Sequence, residues 1–211
     1  MSDVEIFGPA FSTFVRSVML ACEEKGIPYR QHMEAEGMPV AMRSDAHMKL
    51  HPFGKVPVLL HNGQSLCETT SILRYLEARY PDNPLQPSDP WARAQLDQWC
   101  SFITVYVDQA LIRRYLLEFV FPKGDGGSVR EDRVERALPE VNKMLSFIES
   151  QLEGHTCLLG DELTLADLLL LPMVDYLLKW PQTQQTTQAY PNIVRYTESL
   201  RQRPSAQKVL V

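Results

Sequence analysis

Residues 51–73, HPFGKVPVLLHNGQSLCETTSIL, constrain the fold more than any other stretch of the chain. Val56-Pro57 opens an apolar run, Val58-Leu59-Leu60. Proline has no amide proton to give a ladder, so it belongs at the start or edge of a strand. Asn62-Gly63 follows, the pair best suited to a type I′ turn, where both central residues take positive φ. A second short strand is predicted over Ser65 to Cys67. Glu68-Thr69-Thr70 then leads into Ile72, Leu73 and Leu76 at helical spacing. A strand stopped by a proline leaves backbone groups free for an extended ligand. A helix start offers unpaired N–H groups to an anion, and a carboxylate beside it can hold an ammonium. These features suit a short peptide-like ligand with a free amino-acid end.

The rest of the chain divides in two. Val4–Phe7 reads as a strand ending at Gly8-Pro9, and Ser12 precedes a helix with Val15, Val18, Met19 and Cys22 on one face, closed by Lys25-Gly26. A second strand is predicted over Ile27 to Met33, and an irregular helix with loops over 37–50. Strand, helix, strand, irregular helix, hairpin, helix is the order of a thioredoxin-like α/β fold. Residues 80–90, YPDNPLQPSDP, mark a linker by their prolines and turn formers. Everything beyond is predicted helical. Pro90 starts one long helix, capped by Ser88 or Asp89 and running toward Phe121. Ser128 and Glu131 read as a capping box for the next, which ends near Gly154 and kinks at Pro139. Thr164 opens an apolar helix, and Pro191 and Pro204 open two more. The expected layout is 1–80 an α/β domain, 81–89 a linker, and 90–211 an all-α domain.

Composition excludes several classes. A hydrophobic fraction of 45% across 211 residues supports packed cores rather than disorder. A net charge of −5 without a basic run argues against nucleic acid as a partner. Cys22, Cys67, Cys100 and Cys157 form no CxxC, so no metal site or redox pair is expected. The first residues, MSDVEIFG, lack the pattern of a signal peptide. The apolar stretch 163–178 is interrupted by Asp167, Pro172 and Asp175, so a buried helix is expected rather than a membrane span. A cytoplasmic setting follows as the expectation.

The motif at Val56-Pro57, the acid-hydroxyl pair Glu68-Thr69 and the two-part layout together resemble the cytosolic glutathione transferases, and the likeness covers nearly the whole chain. The opening VEIFGPAFSTFVRSVML looks like the serine-type classes, theta-like and phi-like, in their bacterial form. The resemblance implies an α/β glutathione-binding domain followed by an all-α domain that contributes the electrophile pocket. It also implies a homodimer, and glutathione as co-substrate with no cofactor. It implies that Ser12 donates a hydrogen bond to the glutathione sulfur. A free thiol has a pKa of roughly 8.5, so a hydroxyl donor at a helix start would favour the thiolate. The plainer reading makes Ser12 an N-cap only, and Thr13 is a second candidate donor.

The remaining site residues follow from the same resemblance. The proline is cis in the family, and Val56, before Pro57, would pair its backbone with the cysteinyl part of glutathione. Glu68 would face the γ-glutamyl ammonium, and Thr69, with the amides of Thr69 and Thr70, its carboxylate. The family more often has serine at the second position. Lys55 would meet the glycyl carboxylate, with Arg43 a weaker choice. His51 stands where the family often has asparagine and reads as structural. Thr164 and Asp167 read as a structural capping box. Phe102, Tyr106 and Tyr115 are candidates for lining a pocket for an apolar second substrate, against the plainer reading that an aromatic stripe on a helix is core. Cysteine in place of Ser12, tyrosine in place of Phe7 and a double serine are all absent, which disfavours the omega-like, tyrosine-type and zeta-like members. The function expected is detoxifying attack of the thiolate on a small apolar electrophile or a hydroperoxide. Two alternatives differ in class: a non-catalytic interaction module on the same fold, and glutathione-dependent disulfide reduction.

Overall fold

A computed structural model of the chain describes residues 4–35 and 37–211. Two compact units emerge, Met1–Gln86 with Pro204–Val211, and Pro87–Arg203. The first is a thioredoxin-like α/β unit built on a four-stranded mixed sheet. Its elements are β1 (Val4–Phe7), α1 (Thr13–Glu24), β2 (Tyr29–His32), a small hairpin of β3 (Glu34–Ala35) and β4 (Met38–Pro39), α2 (Asp45–Leu50), β5 (Val58–His61), β6 (Gln64–Leu66) and α3 (Thr69–Arg79). Strand order is β2-β1-β5-β6. β1 runs parallel to β2 and antiparallel to β5. Ile6, Phe7, Val15, Val18, Leu20, Val58, Leu59, Ile72 and Leu76 are buried, so sheet and helices share one core.

The register decides where the ends of these strands meet. Phe7 pairs with Val58, Phe7 with His32, and Leu59 with Leu66. The C-terminal end of β1, the N-terminal end of β5 and the C-terminal end of β6 therefore lie at one edge of the sheet. The loops leaving that edge carry Ser12, Lys55 to Pro57, and Glu68 with Thr69. The stretch 37–50 differs from the irregular helix that its mixed charges suggest. Gly37 turns at φ 75° to close the β3–β4 hairpin, and α2 begins only after Ser44, whose hydroxyl accepts from the His47 amide.

The linker is half absorbed into the first unit. The buried Lys25 ammonium donates to Glu77 Oε2 (2.8 Å) and to the main-chain oxygens of Asp82 and Asn83 (3.0 and 3.1 Å). Glu77 Oε1 accepts from the Leu85 amide at 3.1 Å. A buried pair satisfied on all sides avoids the cost of an unpaired buried charge. Helix α10 (Pro204–Val209) also belongs here: it contacts α1, with Lys208 on Glu23 (2.6 Å) and Ser205 on Glu24.

The second unit is helical. α4 (Pro90–Phe102) has Pro90 in its first turn and Asp89 as cap, its carboxylate accepting from the Ala92 amide at 2.8 Å. It continues as a π-helical stretch, Ile103–Leu116, and ends in α5 (Leu117–Val120). α6 (Glu131–Gln151) contains Pro139. Ser128 and Glu131 do not form the expected capping box. Arg130 stands at the helix start and its guanidinium is drawn to Glu118 through two bonds (2.9 and 2.5 Å), while the Ser128 carbonyl accepts from Gly124. α7 (Leu165–Lys179) is the apolar helix and is buried almost throughout. α8 (Pro181–Gln188) and α9 (Pro191–Arg201) complete the unit. Among the described residues no helix is long and apolar enough to cross a membrane.

Candidate functional site

Ser12 stands immediately before α1, with φ −68° and ψ 128°, the ordinary backbone of an N-cap. Its side chain nevertheless makes no capping hydrogen bond. The hydroxyl is thus left for something other than the helix. Thr13, one residue on, is 7% exposed, against a half-buried Ser12. The loop that carries Ser12 is held from behind. Its amide donates to Pro9 O at 3.0 Å. The buried Arg16 donates to Ala10 O (3.0 Å) and to Val211 O (2.9 Å).

Glycine 8 lets this loop meet the next. A Cβ there would lie 2.5 Å from Val15 Cγ2 and 3.0 Å from Val56 Cβ, closer than packed carbons approach, and φ is 147°. The Val56-Pro57 bond is cis. Val56 is half-buried, Pro57 buried and Lys55 exposed.

Glu68 occupies the cap position of α3 with φ 67° and ψ 113°. A non-glycine residue there costs about 1–3 kcal/mol and marks a site where geometry has been bought at the expense of stability. Its carboxylate is 73% exposed and lies 4.0 Å from His51 Nε2. Thr69 begins α3 and is buried at 7% exposure. His51 is buried, and its Nδ1 accepts from the Phe53 amide at 3.2 Å. Burial, opposed by the nearby Glu68 carboxylate, pushes its imidazole below the usual range.

No cysteine offers a ready nucleophile. Burial first, then the Glu23 carboxylate, pushes the Cys22 thiol up to about 12. Burial also raises Cys67, whose sulfur points at Leu50 O (3.3 Å), and Glu68 raises it further. Among the described residues no group of three or more His, Cys, Asp or Glu side chains is placed to hold a metal ion.

The cluster combines a hydroxyl at a helix start, an exposed cation, a strained carboxylate beside a second helix start, and the half-buried Val56 ahead of its cis proline. That set fits a zwitterionic peptide carrying a thiol.

Comparison with known proteins agrees. A family model for the glutathione S-transferase N-terminal domain matches residues 6–84, and one for the C-terminal domain matches residues 108–204. Glutathione S-transferase hmp2 of Hypomyces subiculosus is 32% identical over 204 residues, covering 95% of this chain and 94% of that protein. The chain belongs to the glutathione S-transferase family. A probable glutathione S-transferase, GSTF1 of Oryza sativa subsp. japonica, is 27% identical across 99% of this chain and 96% of its own length. The crystal structure of poplar glutathione transferase F1 superposes with a TM-score of 0.86 at 26% identity, covering 100% of this chain and 97% of that one.

Within this glutathione S-transferase the other residues singled out by sequence sort as follows. Thr164 and Asp167 form their box inside the helical unit. Asp167 Oδ2 accepts from the Thr164 amide and hydroxyl, both at 2.8 Å, and Oδ1 from the Leu158 amide (2.7 Å) and Tyr196 hydroxyl (3.2 Å). Phe102 and Tyr106 line an open groove of about 490 Å³ with Val107, Met144 and Phe147. Tyr115 does not join them: it is buried, with its hydroxyl 3.0 Å from Thr186 Oγ1. Sequence reasoning missed Gly8 and His47. Gly8 was visible only as a strand stop, and His47 lay in a stretch without clean periodicity.

Proposed function

We propose that this chain is a glutathione transferase of the serine type, theta-like or phi-like, in which Ser12 donates its hydroxyl to the sulfur of glutathione. The single observation that carries the reading is the Ser12 hydroxyl, left out of its own helix cap at the sheet edge where Val56-Pro57 and Glu68-Thr69 also emerge. A serine serving only as a cap would satisfy the amide two or three residues on. The twelve-residue α1 adds the positive end of its dipole. A thiolate so stabilised is the nucleophile, and Ser12 is never itself acylated. Thr13, the other candidate donor, is the more enclosed of the two.

The rest of the tripeptide is assigned to residues on the same loops. Val56 pairs its backbone with the cysteinyl unit. Glu68 meets the γ-glutamyl ammonium, and Thr69 with the first amides of α3 meets the carboxylate. Lys55, aided by Arg43, meets the glycyl carboxylate. The second substrate is a small apolar electrophile or a hydroperoxide, and detoxification in the cytoplasm is the role this chemistry serves. No cofactor is required, because the thiolate supplies the electron pair. The protein works as a homodimer. The aromatic groove beside Phe102 is the surface we assign to the second copy, because contiguous exposed aromatics on a folded chain mark a contact.

An ultraviolet difference titration of glutathione into the wild type and into Ser12→Ala tests the mechanism. A thiolate band in the wild type that disappears in the variant is expected. Survival of the band in Ser12→Ala would move the donor role to Thr13 or the backbone. Glutathione binding without a band in either protein would overturn thiolate activation. Parallel turnover of an aryl halide and a mixed disulfide separates conjugation from disulfide reduction, and conjugation is expected to dominate.

A further inference from the structure

His47 is fully buried, at 0% exposure, on the short helix α2, with its ring 5.2 Å from that of Phe7. Both ring nitrogens are engaged. Nδ1 accepts from the main-chain N–H of Arg43 at 2.9 Å. Nε2 lies 2.9 Å from the main-chain oxygen of Lys55. An amide nitrogen can only donate and a carbonyl can only accept. The ring is therefore the neutral tautomer with its proton on Nε2, since a proton on Nδ1 would face the Arg43 N–H.

The two backbones joined through this ring carry exposed cations. Arg43 sits at φ 63°, a conformation costly for its residue type. Its side-chain stem packs on Gly54: a Cβ there would come within 3.2 Å of Arg43 Cγ and 3.0 Å of Met48 Sδ. Arg43 thus lies against the residue before Lys55, and one imidazole bolts the two segments together. Lys55 in turn directly precedes Val56-Pro57. An apolar side chain of the same size would pack against Phe7 but would leave the Arg43 N–H and the Lys55 carbonyl without this partner, so it is the polar ring that ties the two segments.

We propose that His47 is a positioning residue that locks Arg43 and Lys55 as a pair, so that both cations bear on the glycyl carboxylate of glutathione. The inference rests on the glutathione reading of the site and adds a residue that touches no substrate atom. A side chain acting in this way should matter only to a ligand that has a glycyl end.

Isothermal calorimetry with glutathione and with γ-glutamylcysteine, which lacks the glycyl residue, tests this on wild type, His47→Asn and His47→Gln. Asparagine keeps an acceptor near the Arg43 amide and loses the tie to Lys55. Glutamine can set its amide donor near the Lys55 carbonyl but has no acceptor at the position of Nδ1, so the tie to Arg43 is lost. Wild type is expected to prefer glutathione. Each variant is expected to lose about three- to tenfold in glutathione affinity, the scale of one or two exposed ion pairs, and nothing toward γ-glutamylcysteine. Equal losses for both ligands, or no loss for either, would overturn the role. A wild type that binds both ligands equally would instead sink the glycyl-end reading, and one that binds neither would sink the site itself. If the variants do not fold, amide NMR of the wild type decides. Shifts at Arg43 and Val56 on adding glutathione, absent with γ-glutamylcysteine, support the lock; identical shifts with both refute it.

Discussion

At Glu68 the main chain holds φ 67° and ψ 113° while the carboxylate stands 73% exposed. The fold gains little from that side chain, so the strained backbone is retained for what it presents. Glu68→Ala keeps the strain and loses the carboxylate, whereas Glu68→Gly relieves both. Glycine is expected to be more stable than alanine here by about 1 kcal/mol, read from urea midpoints, with glutathione affinity lowered in both. Alanine equal to or above glycine in stability would refute the strain. His51, facing the same carboxylate, makes a pH prediction. Its imidazole is held below the usual 6.5 chiefly by burial. The unfolded chain therefore takes up the proton first, and this contribution to stability is complete above about pH 6.5 and lost as pH falls below it. His51→Asn keeps an acceptor for the Phe53 amide and cannot titrate, so the drop in urea midpoint between neutral and mildly acid pH should shrink. An unchanged drop would mean that His51 does not contribute to it. The loop positions of Val56, Pro57, Glu68 and Thr69 were legible in sequence because a proline and an Asn-Gly turn are local signals, while the roles proposed for them and for Ser12 and Lys55 come from the family resemblance. Gly8 and His47 were not legible, because their importance lies in what approaches them from distant segments.

Among the elements, α7 shows how a polar residue can anchor a helix buried nearly all round. Asp167 accepts four hydrogen bonds at the helix start, one of them from Leu158 in the preceding loop and one from Tyr196 on α9. Asp167→Asn must turn an amide NH₂ toward at least one of these donors. A loss of about 2–4 kcal/mol in unfolding free energy is expected, with glutathione affinity of the folded fraction unchanged. A variant as stable as wild type would show the box to be dispensable. This box was readable because Thr164 and Asp167 precede an apolar run. The apparent box at Ser128 was not formed: α6 starts at Glu131 with Arg130, paired to Glu118, in the cap position. Helix α8 escaped notice for a related reason. Its sequence, PQTQQTTQ, looks solvated, yet Thr183 and Thr187 are buried with their hydroxyls on Leu177 O (2.8 Å) and Thr183 O (3.0 Å). Threonines that spend their hydroxyls on the helix backbone behave as small apolar residues toward the core.

For the whole molecule, strand and helix order, the hairpin turn and the change of composition near residue 80 gave the architecture, since each is a local signal with a definite period. The groove of Phe102 and Tyr106 is a longer-range product of α4 with its π-helical continuation and α6. With Tyr106 59% and Phe147 41% exposed, it is a large apolar surface to leave in water. Sedimentation equilibrium should give twice the chain mass of 24.1 kDa, and Phe147→Asp should shift the protein toward the single chain. A wild type that sediments as one chain at micromolar concentration would refute the dimer. A last consequence concerns synthesis. Residues 204–211 pack on α1 although the whole helical unit intervenes in sequence. A ribosome making this chain in order releases α1 early and the strap that covers it only after the second unit, so the first unit must wait, part-finished, while the second is translated. Chaperones that bind nascent chains are expected to dwell on α1 throughout that interval, and a gene rearranged to encode 204–211 ahead of β1 would shorten it.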